Sequence, residues 1–208
     1  KVRGRLHERA LDAAVERVKA GIAVSPDVRR LVAFARMAGL DPECDPRRQF
    51  LVEECIDGAP AETDGIVRGG RPWTFGVIEQ RWMRPPLPYL DGYLLPADAG
   101  FADVAQVRRV SDGALAASGI ADGGFAVEMR VRGGDDVRVI EVNGRLGEDD
   151  GFPRLFEASL GVHPLRECVA ALAGIGPARG AGASDEGTPT PRPCALDFAN
   201  HVREGIVH

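Results

Sequence analysis

The sequence predicts an α+β protein, an antiparallel sheet of hairpins packed by helices. Three observations carry this. Residues 62–68 and 71–81 are strand-like runs joined by Gly69-Gly70, a pair suited to a two-residue hairpin turn. Residues 124–132 and 136–143 form a second such pair. Helical periodicity recurs elsewhere without strict alternation with strands, which is the α+β order rather than a parallel βαβ one.

Taken in order, LHERALDAAVERVKA (6–20) places Leu6, Ala10, Ala14 and Val18 at helical spacing, with Gly21 as a stop. Ser25 caps a second helix with Pro26 at its first position, running to Met37 and ended by Gly39. DPECDPRR (41–48) is a loop, and Phe50–Glu54 a short buried strand followed by the turn residues Asp57-Gly58. After the first hairpin, RPPLPYLDG (84–92) is too rich in proline for regular structure and forms an exposed loop. Residues 101–118 are a helix with Val104, Val107 and Leu115 inward and Gly119 as its C-cap. Helices 153–160 and 164–173 follow the second hairpin, separated by Gly161. Residues 175–193 have almost nothing to bury and read as a flexible linker, and 194–208 recover strand character as the start of a small β region. The expected organisation is a helical segment over 1–49, a main domain over 50–174, then linker and β region.

Hydrophobic content of 44% and charged content of 27% fit an ordinary soluble, cytoplasmic protein. A net charge of -5 disfavours nucleic acid or an anionic membrane as the principal partner. The four cysteines, Cys44, Cys55, Cys168 and Cys194, have no metal-type spacing and read as small buried apolar residues. No apolar run approaches the roughly 20 residues of a membrane span. None of the four histidines has the company of a nucleophile triad, and Trp73 and Trp82 read as packing residues.

The chemistry concentrates in VIEVNGRLGEDDG (139–151). In a strand, Glu141, Asn143 and Arg145 point to one side, because the side-chain period is two. With Gly134-Asp135 as the turn of the second hairpin, Arg132 faces Val137 and Glu128 faces Glu141. Opposed like charges destabilise a sheet unless a cation lies between them. Two carboxylates and an amide oxygen are hard ligands that suit Mg²⁺, and Arg145 can fork onto a phosphate or carboxylate. The same pattern also fits a solvated face on which Glu128 pairs with Arg130 or Arg138. The run Glu148, Asp149, Asp150 reads as a solvated turn.

FLVEECIDG (50–58), GGFAVEMRV (123–131) and VIEVNGRLG (139–147) resemble, in order and spacing, the ATP-grasp ligases. The branch they resemble includes biotin carboxylase, D-alanine–D-alanine ligase and carbamoyl-phosphate synthetase. The resemblance covers about residues 50–174. It implies an ATP-grasp-like subdomain using ATP and Mg²⁺, with two ions possible and Mn²⁺ able to substitute. Glu128, Glu141 and Asn143 would be metal ligands and Arg145 the catalytic cation. Glu53, Glu54 and Ile56 would form the hinge that reads adenine, and Glu62 would hold the ribose in place of an acid expected at Pro60. Glu79 and Arg81 resemble a substrate-side motif, with Arg81 on the substrate. The implied substrates are a small-molecule carboxylate and an amine, with no nucleic acid and no membrane.

The family also needs a phosphate-binding lysine strand and a Gly-rich loop, and neither occurs in this sequence. The expectation is therefore the C-terminal half of an ATP-grasp unit. Three readings follow: a carboxylate ligase, a nucleotide- and Mg²⁺-binding module without turnover, and a structural domain with an acidic hairpin.

Overall fold

The computed structural model describes residues 8–39, 53–83, 90–97, 103–133, 135–147, 151–175 and 191–198. The chain divides into two compact units, residues 1–55 and 56–208. The first holds helices α1 (Glu8–Val24) and α2 (Pro26–Met37). Gly21 does not stop α1. The helix instead ends at Ser25, which is extended (φ -63°, ψ 124°). The reason is local: the ring of Pro26 crowds a helical residue before it, whereas a helical glycine costs only about 1 kcal/mol. The Ser25 hydroxyl accepts the Val28 N–H and caps α2 as expected. The loop expected over 41–48 lies outside the described residues. So do Phe50–Val52 of the expected strand, and its remaining residues, Glu53 and Glu54, are exposed and irregular.

In the second unit, β1 (Ala59–Arg68), β2 (Arg71–Trp82), β3 (Leu90–Leu95), α3 (Val104–Ser118), β4 (Gly123–Val131), β5 (Val137–Asn143), α4 (Phe152–Leu160), α5 (Pro164–Leu172) and β6 (Cys194–Asp197) follow in order. The strands make one antiparallel sheet, ordered β5-β4-β1-β2-β3-β6. The β1–β2 turn has positive φ at both Gly69 and Gly70, the two-residue geometry whose twist matches antiparallel strands.

Successive strand residues enter different cores, as the period of two requires. Val67 and Val77 join Phe125, Val127 and Met129 beneath Val107 and Leu115 of α3. Ile66 and Ile78 join Tyr93, Leu95, Phe152, Phe156 and Leu160 beneath α4 and α5. Helices therefore cover both faces of the sheet. Asp103 caps α3 by accepting the Ala105 and Gln106 N–H groups, and Gly119 closes it in the left-handed conformation. Val104, expected inward, is exposed at the first turn. The buried stripe is Val107, Ser111 and Leu115, and Ser111 shares a 2.7 Å hydrogen bond with Thr63 of β1.

Two further expectations change. Leu90–Gly92, expected in a loop, pair with β2 as the start of β3, because that strand is hydrogen-bonded on both sides. Residues 84–89 lie outside the described set. Cys194–Asp197 is an edge strand of the same sheet, and 176–190 of the expected linker lie outside the described residues. Among the cysteines described, Cys55 is exposed and Cys168 and Cys194 are half-buried; all three are free thiols.

Gly65 sits where β1 slips register against β2. A Cβ there would lie 2.2 Å from the Trp73 carbonyl oxygen and 2.6 Å from the Phe125 ring. Both neighbours are held by the sheet and core, so Gly65→Ala is expected to destabilise by about 1–3 kcal/mol or more. Urea unfolding would measure it, and a loss below about 0.5 kcal/mol would contradict this packing.

Candidate functional site: an acidic row across three strands

Glu128 stands directly opposite Glu141, as the sequence suggests, but by a different route. At the turn, Val131 rather than Arg132 faces Val137. A bulge between Glu128 and Met129 then leaves Ile140 as the extra residue of β5 and shifts the pairing by one. As a result Val139 and Val142 both pack toward the α3 core, although three residues apart. Glu141 and Asn143 are thereby turned to the opposite face. Glu128, between the core residues Val127 and Met129, points to that face too.

Glu62 on β1 is the other neighbour of Glu128. Glu62, Glu128 and Glu141 thus form one row across β1, β4 and β5. Asp64, Ala126 and Asn143 form the next. Glu62 is only 5% exposed and accepts the Gln80 side-chain amide at 2.8 Å, and Gln80 accepts the Trp82 indole N–H. Glu62, expected to hold a ribose, is thus buried and already bonded to Gln80. Arg145 lies in the bend after β5, not in the strand row, and is exposed with Nη1 donating to the Leu146 carbonyl.

Asp64, Gln80 and Gly147 are site elements that the motif reading missed. Asp64 is wholly buried. Its Oδ1 accepts the Gly147 N–H at 2.6 Å, Oδ2 has no N–H donor, and the carboxyl lies within hydrogen-bonding reach of Glu62, with which it can share a proton. Burial, then the Glu62 charge, pushes the Asp64 carboxyl well above its ordinary range; the Gly147 hydrogen bond and Arg145 oppose this. A sequence signal existed. Glu62-Thr63-Asp64 repeats on β1 the one-residue spacing of Glu141-Val142-Asn143 on β5.

A carboxyl whose native pKa exceeds its unfolded value holds more protons folded than unfolded between the two. Stability then falls as pH rises from 3.8 through that interval. Asp64→Asn removes this loss. Its unfolding free energy is expected to fall less steeply than that of wild type as pH rises above about 4. Denaturant titrations across that range test this, and equal slopes would refute it.

The remaining expected residues do not join the row. Glu53 and Glu54 belong to the first unit and Ile56 to the second; all three are in irregular chain. Arg81, expected on the substrate, forms a part-exposed ion pair with Asp197 of β6 through Nη2, while its buried Nε has no protein partner. Trp73 packs edge-on against Phe75, whereas Trp82, expected in packing, is 40% exposed beneath the Arg130 guanidinium. His163 caps α5 through Nδ1. Glu148, Asp149 and Asp150 lie outside the described residues. A cleft of about 210 Å³ at the α4–α5 corner, lined by Trp73, Glu157, Val162, His163, Arg166 and Glu167, contains none of the expected site residues.

Among the described residues, no three Asp, Glu, His or Cys side chains converge as a complete metal cage. Two carboxylates with an amide oxygen still fit the expected Mg²⁺, which keeps waters and shares substrate phosphates instead of filling a protein cage. Among the described residues, no helix is long and apolar enough to cross a membrane.

The six-stranded sheet with helices on both faces has the ATP-grasp ligase fold. A crystal structure of L-amino acid ligase from Bacillus licheniformis is similar, with 19% identity over 68% of this chain and a TM-score of 0.54. An ADP complex of N5-carboxyaminoimidazole ribonucleotide synthetase is similar over 69% of this chain, with 14% identity and a TM-score of 0.50. The chain spans 35% and 34% of those two proteins. No family model matches the sequence. No curated protein matches it either.

Proposed function

We propose that the chain is part of an ATP- and Mg²⁺-dependent ligase that activates a small carboxylate as an acyl phosphate for attack by an amine. One observation carries this reading: the register that opposes Glu128 to Glu141 and aligns Asn143 on the same face, with Arg145 just beyond. Glu128, Glu141 and Asn143 would hold the metal. Bound there, Mg²⁺ would offset the repulsion between a triphosphate and a carboxylate.

The protein's own part in phosphoryl transfer is positioning and fixed charge. Arg145, on a bend held by its neighbours, supplies a positive fork to the transferred phosphoryl or to the substrate carboxylate. Glu62, fixed by Gln80, completes the acidic row behind Glu128. Main-chain groups of Glu54 and Ile56 would read adenine, with Glu53 beside them. No Ser or Cys nucleophile is needed. A second reading, nucleotide binding without turnover, is favoured by the ion pair of Arg81 with Asp197, which competes with that expected substrate contact.

The test is thermal unfolding with and without Mg·ATP, with Glu141→Ala as control. A ligand at about 100 times its dissociation constant adds roughly 2.7 kcal/mol to the native state. A magnesium-dependent rise that the variant loses is expected. A folded wild-type chain with no shift would overturn the nucleotide reading. ADP release only when a carboxylate and an amine are both present would separate the ligase from the binding module.

A further inference from the structure

We propose that Asp64 is a positioning residue: it draws the turn after β5 back across β4 and so sets where Arg145 stands. The inference rests on the ligase reading only for the ligand that Arg145 meets; the tether itself is independent of it.

The path of the turn carries the inference. Asn143 ends β5 at the edge of the sheet, with Ala126 of β4 beside it and Asp64 of β1 one strand further in. To reach Asp64, Gly147 must return over β4. The β4 residues on that face at this end of the strand, Gly124 and Ala126, are small. A Cβ on Gly124 would stand 2.8 Å from Leu146 Cγ, so Leu146 lies directly on the bare backbone. Gly147 is equally confined, since its Cβ would stand 2.4 Å from the Phe152 ring. The turn is thus held between Gly124, Phe152 and the Asp64 carboxylate. The last is its polar anchor, through a short 2.6 Å bond from the Gly147 N–H.

Arg145 stands between the strand end and these two pinned residues, and its Nη1 bonds the Leu146 carbonyl at 3.0 Å. Its position therefore follows from theirs. Gly124 and Ala126 give the turn room, but they offer no directional bond. Without Asp64, the turn keeps apolar contacts and loses the bond that fixes its rotation. The tether needs an acceptor, not a charge. The side-chain amide introduced by Asp64→Asn can accept the same N–H through its oxygen, while its NH₂ can donate toward Glu62.

The experiment compares wild type, Asp64→Ala, Asp64→Ser and Asp64→Asn in the full 208-residue chain. Serine is too short to reach Gly147 but fills more space, which covers the case in which alanine does not fold. Hydrogen exchange at the Gly147 amide is expected to rise about tenfold or more in the Ala and Ser variants, with the β4–β5 ladder unchanged. The Asn variant is expected to keep wild-type protection. Mg·ATP affinity is expected to fall about tenfold with Ala or Ser, to recover with Asn, and to fall no further when Arg145→Ala is added. Unchanged Gly147 exchange in a folded Ala or Ser variant, failure of Asn to rescue, or additive losses with Arg145→Ala would each overturn the proposal. If wild type binds no Mg·ATP, the ligase reading fails. Gly147 exchange then still decides whether Asp64 holds the turn.

Discussion

Phe152→Ala is expected to destabilise the second unit by about 3–5 kcal/mol, among the largest effects available to a single core truncation. Phe152 is 1% exposed and lies edge-on to both Tyr93 and Phe156, with ring centroids 5.1 Å away in each case. Its removal leaves a cavity between β3 and α4 that neither aromatic neighbour can fill without leaving its own contacts. The same ring is the wall against which Gly147 rests, so the loss should reach the site. Folded Phe152→Ala should therefore show faster exchange at Gly147 than its global unfolding accounts for. Phe152→Leu keeps an apolar wall and should cost less. Urea unfolding gives the stability term and amide exchange the local one. A loss below about 1 kcal/mol would mean the core collapses around the gap, contrary to the packing described.

Arg145→Ala should have the largest functional effect. Turnover, read as ADP release in the presence of a carboxylate and an amine, is expected to fall about a hundredfold or more. Mg·ATP affinity should fall only about tenfold. The difference arises because a fixed cation gains most where charge develops in the transition state, and only that excess appears in the rate. The guanidinium is exposed, so stability should change little. Arg145→Lys restores the charge but not the planar fork and should recover only part of the rate. Equal turnover in wild type and Arg145→Ala, with ATP bound in both, would remove Arg145 from the chemistry.

Both predictions concern residues whose importance is unequally visible in the sequence. Arg145 can be picked out from E-x-N-x-R by spacing alone. Phe152 falls just before the helix expected over 153–160, and nothing in the sequence assigns it to the wall behind Gly147, a contact that only packing creates. The opposition of Glu128 to Glu141 is legible because hairpin register follows from turn length. The same reading places Arg132 opposite Val137, which the structure corrects to Val131. One turn-end difference and one bulge at Ile140 cancel at the carboxylates. A bulge adds one residue without a compositional mark, so periodicity cannot locate it.

The alternation of apolar residues, the Gly69-Gly70 turn, the Ser25 cap and the Gly119 C-cap depend on neighbours within a few residues. Local sterics and hydrogen bonding decide them, so they are legible along the chain, together with the residue types of the acidic candidate site. Which acids share a row, why Asp64 anchors the turn, why Arg81 is engaged by Asp197 and why Glu62 is buried all depend on strands far apart in the chain. The order β5-β4-β1-β2-β3-β6 brings β1 between β4 and β2, and this alone sets Glu62 beside Glu128 and Gln80. Only the tertiary structure could decide those contacts, because the free energy that selects the strand order comes from burying both faces of the whole sheet and not from any one segment.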